Sequence, residues 1–159
     1  MNINEKLRDI LRYILIQYPY PIDLNKTRLT KLVYLIDWEM AQRQKEVISG
    51  INWYFDNYGP YVQDVMKEAV SDEHIKVNEG LSIYGGPKYT FQIKDLNLQD
   101  VKNLNRQERE IIDDVIKSTQ DLSFNNFINY IYNTLPVLKT PQYEFLDLVK
   151  IASESVNNQ

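Results

Sequence analysis

Apolar residues recur along the first half of the chain at the three- and four-residue spacing of amphipathic helices. This pattern predicts helices over about residues 4–18, 25–44 and 60–70. Asn25 is suited to the N-cap of the second helix, because its side chain accepts from an unpaired backbone N–H. Pro60 is suited to the first turn of the third helix, where a missing N–H costs nothing.

The second half of the chain predicts three further helices. Asn105 and Glu108 have the spacing of a capping box at the start of the fourth helix, and Ser123 begins the fifth. A sixth helix is predicted from Thr140, with Phe145 among its inward-facing apolar residues.

Runs of β-branched and aromatic residues between the helices predict extended segments. Residues 51–54 and 74–77 are two of them. Residues 81–84 and 88–93, separated by Gly85-Gly86-Pro87, predict a β-hairpin. The fold class is therefore α+β, predominantly helical, with about six helices and one small hairpin. Three helices followed by a hairpin is also a winged-helix order.

Length and composition suit one folded domain. A chain of 159 residues, of which 43% are hydrophobic, has room for one core. We expect a single domain over residues 1–152 and a polar tail over residues 153–159. No segment approaches the apolar length of a membrane span, and the N-terminal residues do not form a signal sequence. A cytoplasmic protein without a membrane partner is expected.

Catalytic chemistry has little support in the sequence. The chain has no cysteine, so thiolate catalysis and cysteine-bound metals are excluded. The one histidine, His74, is expected to be a solvated loop residue rather than a general base or metal ligand. Asp37 and Asp56 are a candidate carboxylate pair, but Asp37 is expected instead to hold a neighbouring loop. We expect no enzyme activity, no cofactor and no metal.

Two segments of the chain resemble one known family. The first, on the second helix, comprises Leu29, Lys31, Leu32, Tyr34 and Asp37. The second, downstream of it, comprises Trp53, Tyr58, Gly59 and Pro60. In this order and spacing they resemble the signature of the Panacea domain, also called the SocA-like antitoxin domain.

The resemblance implies a bacterial or prophage-borne antitoxin that neutralises a cognate toxin by direct binding. It also implies a second mode, in which the antitoxin delivers its toxin to a protease as an adaptor. Such families pair one scaffold with many unrelated toxins, so the chain does not identify its own. The resemblance further implies that Lys31 holds the Tyr58-Gly59-Pro60 turn through carbonyl groups.

Aromatic residues around the motif are expected to serve both packing and binding. Tyr34, Trp53, Tyr58 and Pro60 are expected to form a local cluster. The chain has 12 Tyr against 5 Phe, and tyrosine is enriched at protein interfaces. The candidate partner-binding residues are Tyr18, Tyr20, Lys26, Arg28, Tyr54 and Tyr61.

The start of the second helix carries an unusual set of cations. Lys26 and Arg28 lie in its first turn and Lys31 lies one turn on, where each opposes the helix dipole at a cost of about 0.3–1 kcal/mol. Two kinds of contact could offset this unfavourable interaction with the helix dipole. One is pairing within the chain to Asp23 or Asp64, and the other is contact with an acidic partner or nucleic-acid phosphate.

A DNA-binding regulator is the alternative function. In a winged-helix arrangement the third helix would enter the major groove, and residues 81–93 would be the wing. The third helix carries Gln63, Asp64, Lys67 and Glu68, which are not a basic set, and the net charge of the chain is −4. Nucleic acid is therefore the less favoured partner.

Overall fold

The computed structural model of the chain describes residues 4–157 and has the expected α+β fold, dominated by helices. The α-helices of the described residues are α1 (Glu5–Gln17), α2 (Lys26–Gln44), α3 (Asp64–Ser71), α4 (Arg106–Thr119), α5 (Phe124–Tyr132), α6 (Leu135–Lys139) and α7 (Leu148–Asn157). The strands are β1 (Phe55–Asp56), β2 (Gly59–Pro60), β3 (Ile75–Leu81) and β4 (Pro87–Ile93), and they form two antiparallel pairs, β1–β2 and β3–β4. Short 3-10 turns span Pro21–Asp23 and Leu98–Asp100.

Helix α2 lies at the centre of the core. It packs against α3, α4, α5 and α7, and it is buried around most of its circumference. A helix that is surrounded in this way needs apolar residues on more than one face. The segment from Leu29 to Ile36 meets that need, and its polar members Thr30 and Lys31 are buried with the rest.

Local caps begin the helices where the sequence predicts them. The side chain of Asn25 accepts from Arg28 N at 2.8 Å at the start of α2. Asn105 and Glu108 form the predicted reciprocal capping box of α4. Ser123 accepts from Asn126 N at 3.2 Å and begins α5. Each cap provides an acceptor for one of the backbone N–H groups that a helix start leaves unpaired.

The predicted start of the third helix at Pro60 is wrong. Gly59–Pro60 instead pairs with Phe55–Asp56 as the second strand of a small hairpin, and α3 begins at Asp64. The extended segment predicted over residues 51–54 is likewise displaced, because the strand itself is Phe55–Asp56. Proline is compatible with either setting, so pairing between segments decided this boundary.

The second hairpin exists, but its first strand is longer than predicted. The segments predicted over residues 74–77 and 81–84 are one continuous strand, Ile75–Leu81, paired with Pro87–Ile93. The turn covers residues 82–86, with Ser82 N donating to Gly86 O at 2.8 Å. Tyr84, predicted to lie in a strand, is therefore in the turn. Three helices followed by this hairpin keep the predicted order.

The predicted start of the last helix at Thr140 is wrong, because this helix, α7, begins at Leu148. Thr140 instead ends α6, and Phe145 is 69% exposed rather than inward-facing. The intervening chain runs beside β1: Phe55 N donates to Glu144 O at 3.0 Å, and Leu146 N donates to Trp53 O at 2.8 Å. Helix α7 follows this segment and ends at Asn157. The first residues of the expected tail, from Ser153, are therefore helical.

Residues 158–159 of the predicted tail lie outside the described residues. Within residues 4–157, no helix is both long enough and apolar enough to cross a membrane.

Candidate functional site

The carboxylate of Asp37 lies fully buried on α2 and holds the loop that follows this helix. It accepts from Ile48 N at 2.9 Å, from Ser49 N at 3.0 Å, from the Ser49 hydroxyl, and from Trp53 Nε1 at 2.8 Å. Burial raises the pKa of Asp37, and the donors from Ser49, Trp53 and Ile48 oppose that rise. Its oxygens are occupied by this loop, so a catalytic pair with Asp56 is not formed.

Lys31 reaches from α2 to the β1–β2 hairpin. Its side chain is 1% exposed, and Nζ donates to Pro60 O at 3.1 Å. Burial lowers the pKa of Lys31 to about 8, and the nearby carboxylate of Asp56 opposes that shift. The contact implied by the family resemblance is therefore present.

Two buried aromatic rings connect these polar contacts. Tyr34 and Trp53 pack edge to face with their centroids 5.6 Å apart. The Tyr34 hydroxyl pairs with the Thr134 hydroxyl at 2.7 Å, and burial raises the pKa of Tyr34. The predicted cluster is correct for Tyr34 and Trp53 but wrong for Tyr58, which is 79% exposed.

Gly59 lets the β1–β2 hairpin turn back towards Lys31. Its φ is +92°, a conformation that L side chains rarely adopt. Replacing Gly59 with alanine is expected to lower the free energy of unfolding by about 1–2 kcal/mol, measured by urea denaturation. The cause is backbone strain, because the added Cβ would lie 3.6 Å from Tyr132, an ordinary contact.

Gly86→Ala is a matched control for this prediction. Gly86 also lies at a hairpin turn, but without a positive φ, and its nearest neighbour to an added Cβ is Ser82 Oγ at 3.8 Å. We expect little change there. Equal losses at the two glycines would contradict the assignment of the cost to φ.

Exposed aromatic side chains surround the outer side of the hairpin. Tyr58, Tyr143 and Phe145 are 79%, 56% and 69% exposed. Tyr54 packs edge to face on Phe145 at 5.2 Å, and the Tyr143 hydroxyl donates to Asn57 Oδ1 at 2.8 Å. We call Tyr54, Tyr58, Tyr143 and Phe145 the aromatic face.

Comparison with known proteins places this arrangement in a family. A family model described as antitoxin SocA-like, Panacea domain, matches residues 29–136, which is more than half of the chain. The chain belongs to this family. No curated protein and no solved structure matches it.

The match to the Panacea domain covers both halves of the motif. It begins at Leu29 and includes Asp37, Trp53 and the Gly59–Pro60 strand. Tyr143 and Phe145 lie beyond its end. The aromatic face therefore combines residues from within the matched part of this Panacea domain with residues outside it.

Two of the predicted partner-binding residues of this Panacea domain are buried, which corrects their assignment. Tyr18 is 4% exposed and Arg28 is 2% exposed. Arg28 Nη2 donates to Thr119 O at 2.7 Å and to Leu122 O at 2.9 Å. It thereby satisfies a carbonyl at the C-terminal end of α4, where a cation is favourable.

The other predicted candidates lie at the surface in different settings. Tyr20 is 43% exposed and donates to Asp121 at 3.3 Å. Lys26 Nζ lies 5.4 Å from the centroid of the Tyr61 ring and 5.7 Å from that of Tyr89. Lys26 and Tyr61 thus contact each other, and Tyr54 alone of the six belongs to the aromatic face.

The cations of α2 are not compensated by pairing with the acids expected within the chain. Among the described residues, none of Lys26, Arg28 and Lys31 forms an ion pair with Asp23 or Asp64. Backbone carbonyls and aromatic rings take that place. Such acceptors carry no sequence signature, which is why the pattern suggested acids.

Tyr143 and Phe145 were missed because the sequence predicted a helix there. The sequence carries no signal against that helix, because Thr140 followed by Pro141 has the form of a helix start, whereas in the structure Thr140 ends α6. His74 lies in a turn, where its Nδ1 is 3.1 Å from Lys94 O. Within the described residues, no group of three His, Asp or Glu side chains is placed to hold a metal ion.

Proposed function

We propose that this Panacea domain neutralises a cognate toxin by binding it directly through the aromatic face. Membership of the family supports an antitoxin role in general. The observation that favours this surface is the exposure of three large aromatic side chains, Tyr58, Tyr143 and Phe145, around the family motif. Clustered exposed aromatic residues favour a protein partner, because they offer apolar area together with polar edges.

Contacts within the chain hold the aromatic face in place. Tyr58 lies on a hairpin that Lys31 anchors from α2, and Phe145 is held by its packing on Tyr54. A preordered surface loses less conformational entropy on binding than a mobile one. Buried motif residues thus support the exposed residues of the aromatic face.

Tyr143 adds a second argument. Its φ is +67°, although it is not a glycine, and this conformation costs roughly 1–2 kcal/mol for an L residue. Strain of this kind concentrates at functional positions. An exposed tyrosine at such a position therefore supports a binding role for its side chain.

The nucleic-acid alternative gains no support from the structure. Helix α3 packs against α1, α2 and β3. The tip of the second hairpin, which would be the wing, exposes Leu81, Ile83 and Tyr84. A surface that contacts phosphates should instead present lysine and arginine.

Co-expression with each adjacent reading frame tests the proposal. We expect one neighbour to be toxic alone, harmless with this protein, and co-purified with it. Phe145→Ser and Tyr58→Ala should each weaken the complex by at least about tenfold, as expected for a central aromatic contact, measured by calorimetry. Tyr143→Gly should weaken binding without lowering stability, because glycine adopts the backbone conformation freely.

Tyr84→Ala is the matched control, because this tyrosine is 92% exposed but lies on the other hairpin. It should leave binding unchanged. Rescue of growth without a complex would count against direct neutralisation and favour proteolytic delivery or repression of the operon. Equal losses at Tyr84 and Tyr58 would show that the aromatic face is not the binding surface.

A further inference from the structure

A cavity lies between α2, α4 and the C-terminal end of α5. Its volume is about 440 Å³, within the range of sites that hold a small ligand. Leu35, Val115 and Leu135 give it apolar walls. No residue of the aromatic face lines this cavity, so it is a separate candidate site.

The charged side chains of the cavity are more negative than positive. Glu39 and Asp114 line it, with Arg43 between them. Arg43 Nε donates to Glu39 Oε1 at 2.8 Å, and Arg43 Nη2 donates to Asp114 Oδ2 at 2.9 Å. The second oxygen of each carboxylate has no partner among the described residues. Two negative charges and one positive charge leave a net charge of −1, which attracts a further cation.

An aromatic ring lines the cavity from α5. Tyr130 is 47% exposed, and the face of such a ring attracts a cation. Apolar walls suit the methylene groups of a lysine or arginine side chain, which packs its stem on apolar surface and keeps its charge near water. The cavity therefore fits a long cationic side chain better than a small inorganic cation.

The indole of Trp38 supplies an independent indication of the ligand. Trp38 lines the cavity and is 6% exposed. Trp53 Nε1 donates to Asp37, but no acceptor among the described residues pairs with Trp38 Nε1, which still has accessible surface. An indole N–H can only donate, and a largely buried one usually has an acceptor. A backbone carbonyl of a bound peptide would provide that acceptor.

We propose that this cavity binds a peptide segment of a partner protein that carries an arginine or lysine. The cationic group of that side chain lies beside Glu39 and Asp114, and a carbonyl of the same segment accepts from Trp38 Nε1. A peptide supplies both the cation and the acceptor, whereas a simple amine supplies only the cation. The proposal does not depend on toxin binding by the aromatic face.

NMR of the indole N–H groups of the full chain tests the proposal directly. The chain has two tryptophans, so Trp53, which is held by Asp37, is an internal control. The probe is the tripeptide Ala-Arg-Ala with blocked ends, added at constant ionic strength. The Trp38 signal should shift and saturate, while the Trp53 signal should stay in place.

Three further ligands separate the parts of the proposal. The same tripeptide with citrulline in place of arginine keeps the shape without the charge, and it should bind more weakly. Butylguanidine keeps the charge without the carbonyl groups, and it too should bind more weakly. Ala-Glu-Ala should not bind. Equal binding of the arginine and citrulline peptides, equal binding of butylguanidine, or tighter binding of Ala-Glu-Ala would each overturn the proposal.

Substitutions of the charged side chains give effects of opposite sign. Asp114→Asn should weaken binding of Ala-Arg-Ala about threefold, as for a partly exposed ion pair. Arg43→Gln should tighten it, because the cation that now serves both carboxylates is removed. Both side chains are partly exposed, so both variants should fold. Weaker binding by Arg43→Gln would overturn the proposal, because Arg43 would then be the group that recognises the ligand.

Glu110→Gln is the matched control for Asp114→Asn. Glu110 is an exposed carboxylate one turn earlier on α4, and it does not line the cavity. This variant should bind Ala-Arg-Ala like the unmodified protein. Equal losses for Glu110→Gln and Asp114→Asn would show that the net charge of the protein, and not this cavity, attracts the peptide.

Discussion

Asp37→Ala is expected to lower the free energy of unfolding by at least about 3 kcal/mol. The substitution leaves the N–H groups of Ile48, Ser49 and Trp53 without their acceptor in a site from which water is excluded. Each unpaired buried donor costs about 1–3 kcal/mol, and the lost packing adds to this. Urea denaturation followed by circular dichroism measures the change.

Asp37→Asn separates the loss of hydrogen bonds from the loss of volume. The amide keeps the shape and one acceptor oxygen, but its NH₂ group faces donors, so we expect a smaller loss than for alanine. Asp121→Ala, at an exposed aspartate, should change the stability by less than about 0.5 kcal/mol. A loss at Asp37 no larger than that at Asp121 would show that this carboxylate does not hold the loop.

Stability is expected to rise with pH above about pH 8 because of Lys31. Its pKa is lowered from 10.5 to about 8 in the folded protein. Between these values the unfolded chain binds a proton that the folded chain has released. Deprotonation therefore favours the folded state, and stability rises with pH in this window. The full effect corresponds to about 3 kcal/mol.

Comparison with Lys31→Met isolates this contribution from that of other titrating groups. Unfolding free energies at several pH values between 7 and 10 should show the original protein gaining on the variant as pH rises, by up to about 1.4 kcal/mol for each pH unit. Lys67→Met, at an exposed lysine of α3, provides the background for loss of one positive charge. If the difference in unfolding free energy between the original protein and Lys31→Met stayed constant over this pH range, the lowered pKa of Lys31 would be contradicted.

Much of the helical framework could be predicted because its signals are local. Asn25, Asn105 and Ser123 each cap a helix with an acceptor that lies three residues from its donor. The spacing of apolar residues likewise places α1 and α2 within a residue or two of their bounds. A short-range signal of this kind needs no knowledge of the rest of the chain.

The buried half of the site was also accessible from sequence. The sequence predicted that Asp37 holds a neighbouring loop, and the family resemblance implied that Lys31 contacts the Gly59–Pro60 turn. Both contacts are present. The spacing did not indicate that Tyr58 is exposed. In a turn, the order of aromatic residues does not show which side chains face the core.

The sequence by itself determined the starts of α1, α2, α4 and α5, the fold class and the pairing of the two motif segments. The tertiary structure decided which cationic and aromatic side chains are exposed. Arg28 is buried because it meets carbonyls 91 and 94 residues away, and Phe145 is exposed because its backbone pairs with Tyr54 instead of forming a helix. Every residue has a backbone carbonyl, and every residue except proline has an N–H group. Local patterns therefore do not show which of these groups a side chain or a strand will pair with, and long-range packing decides it.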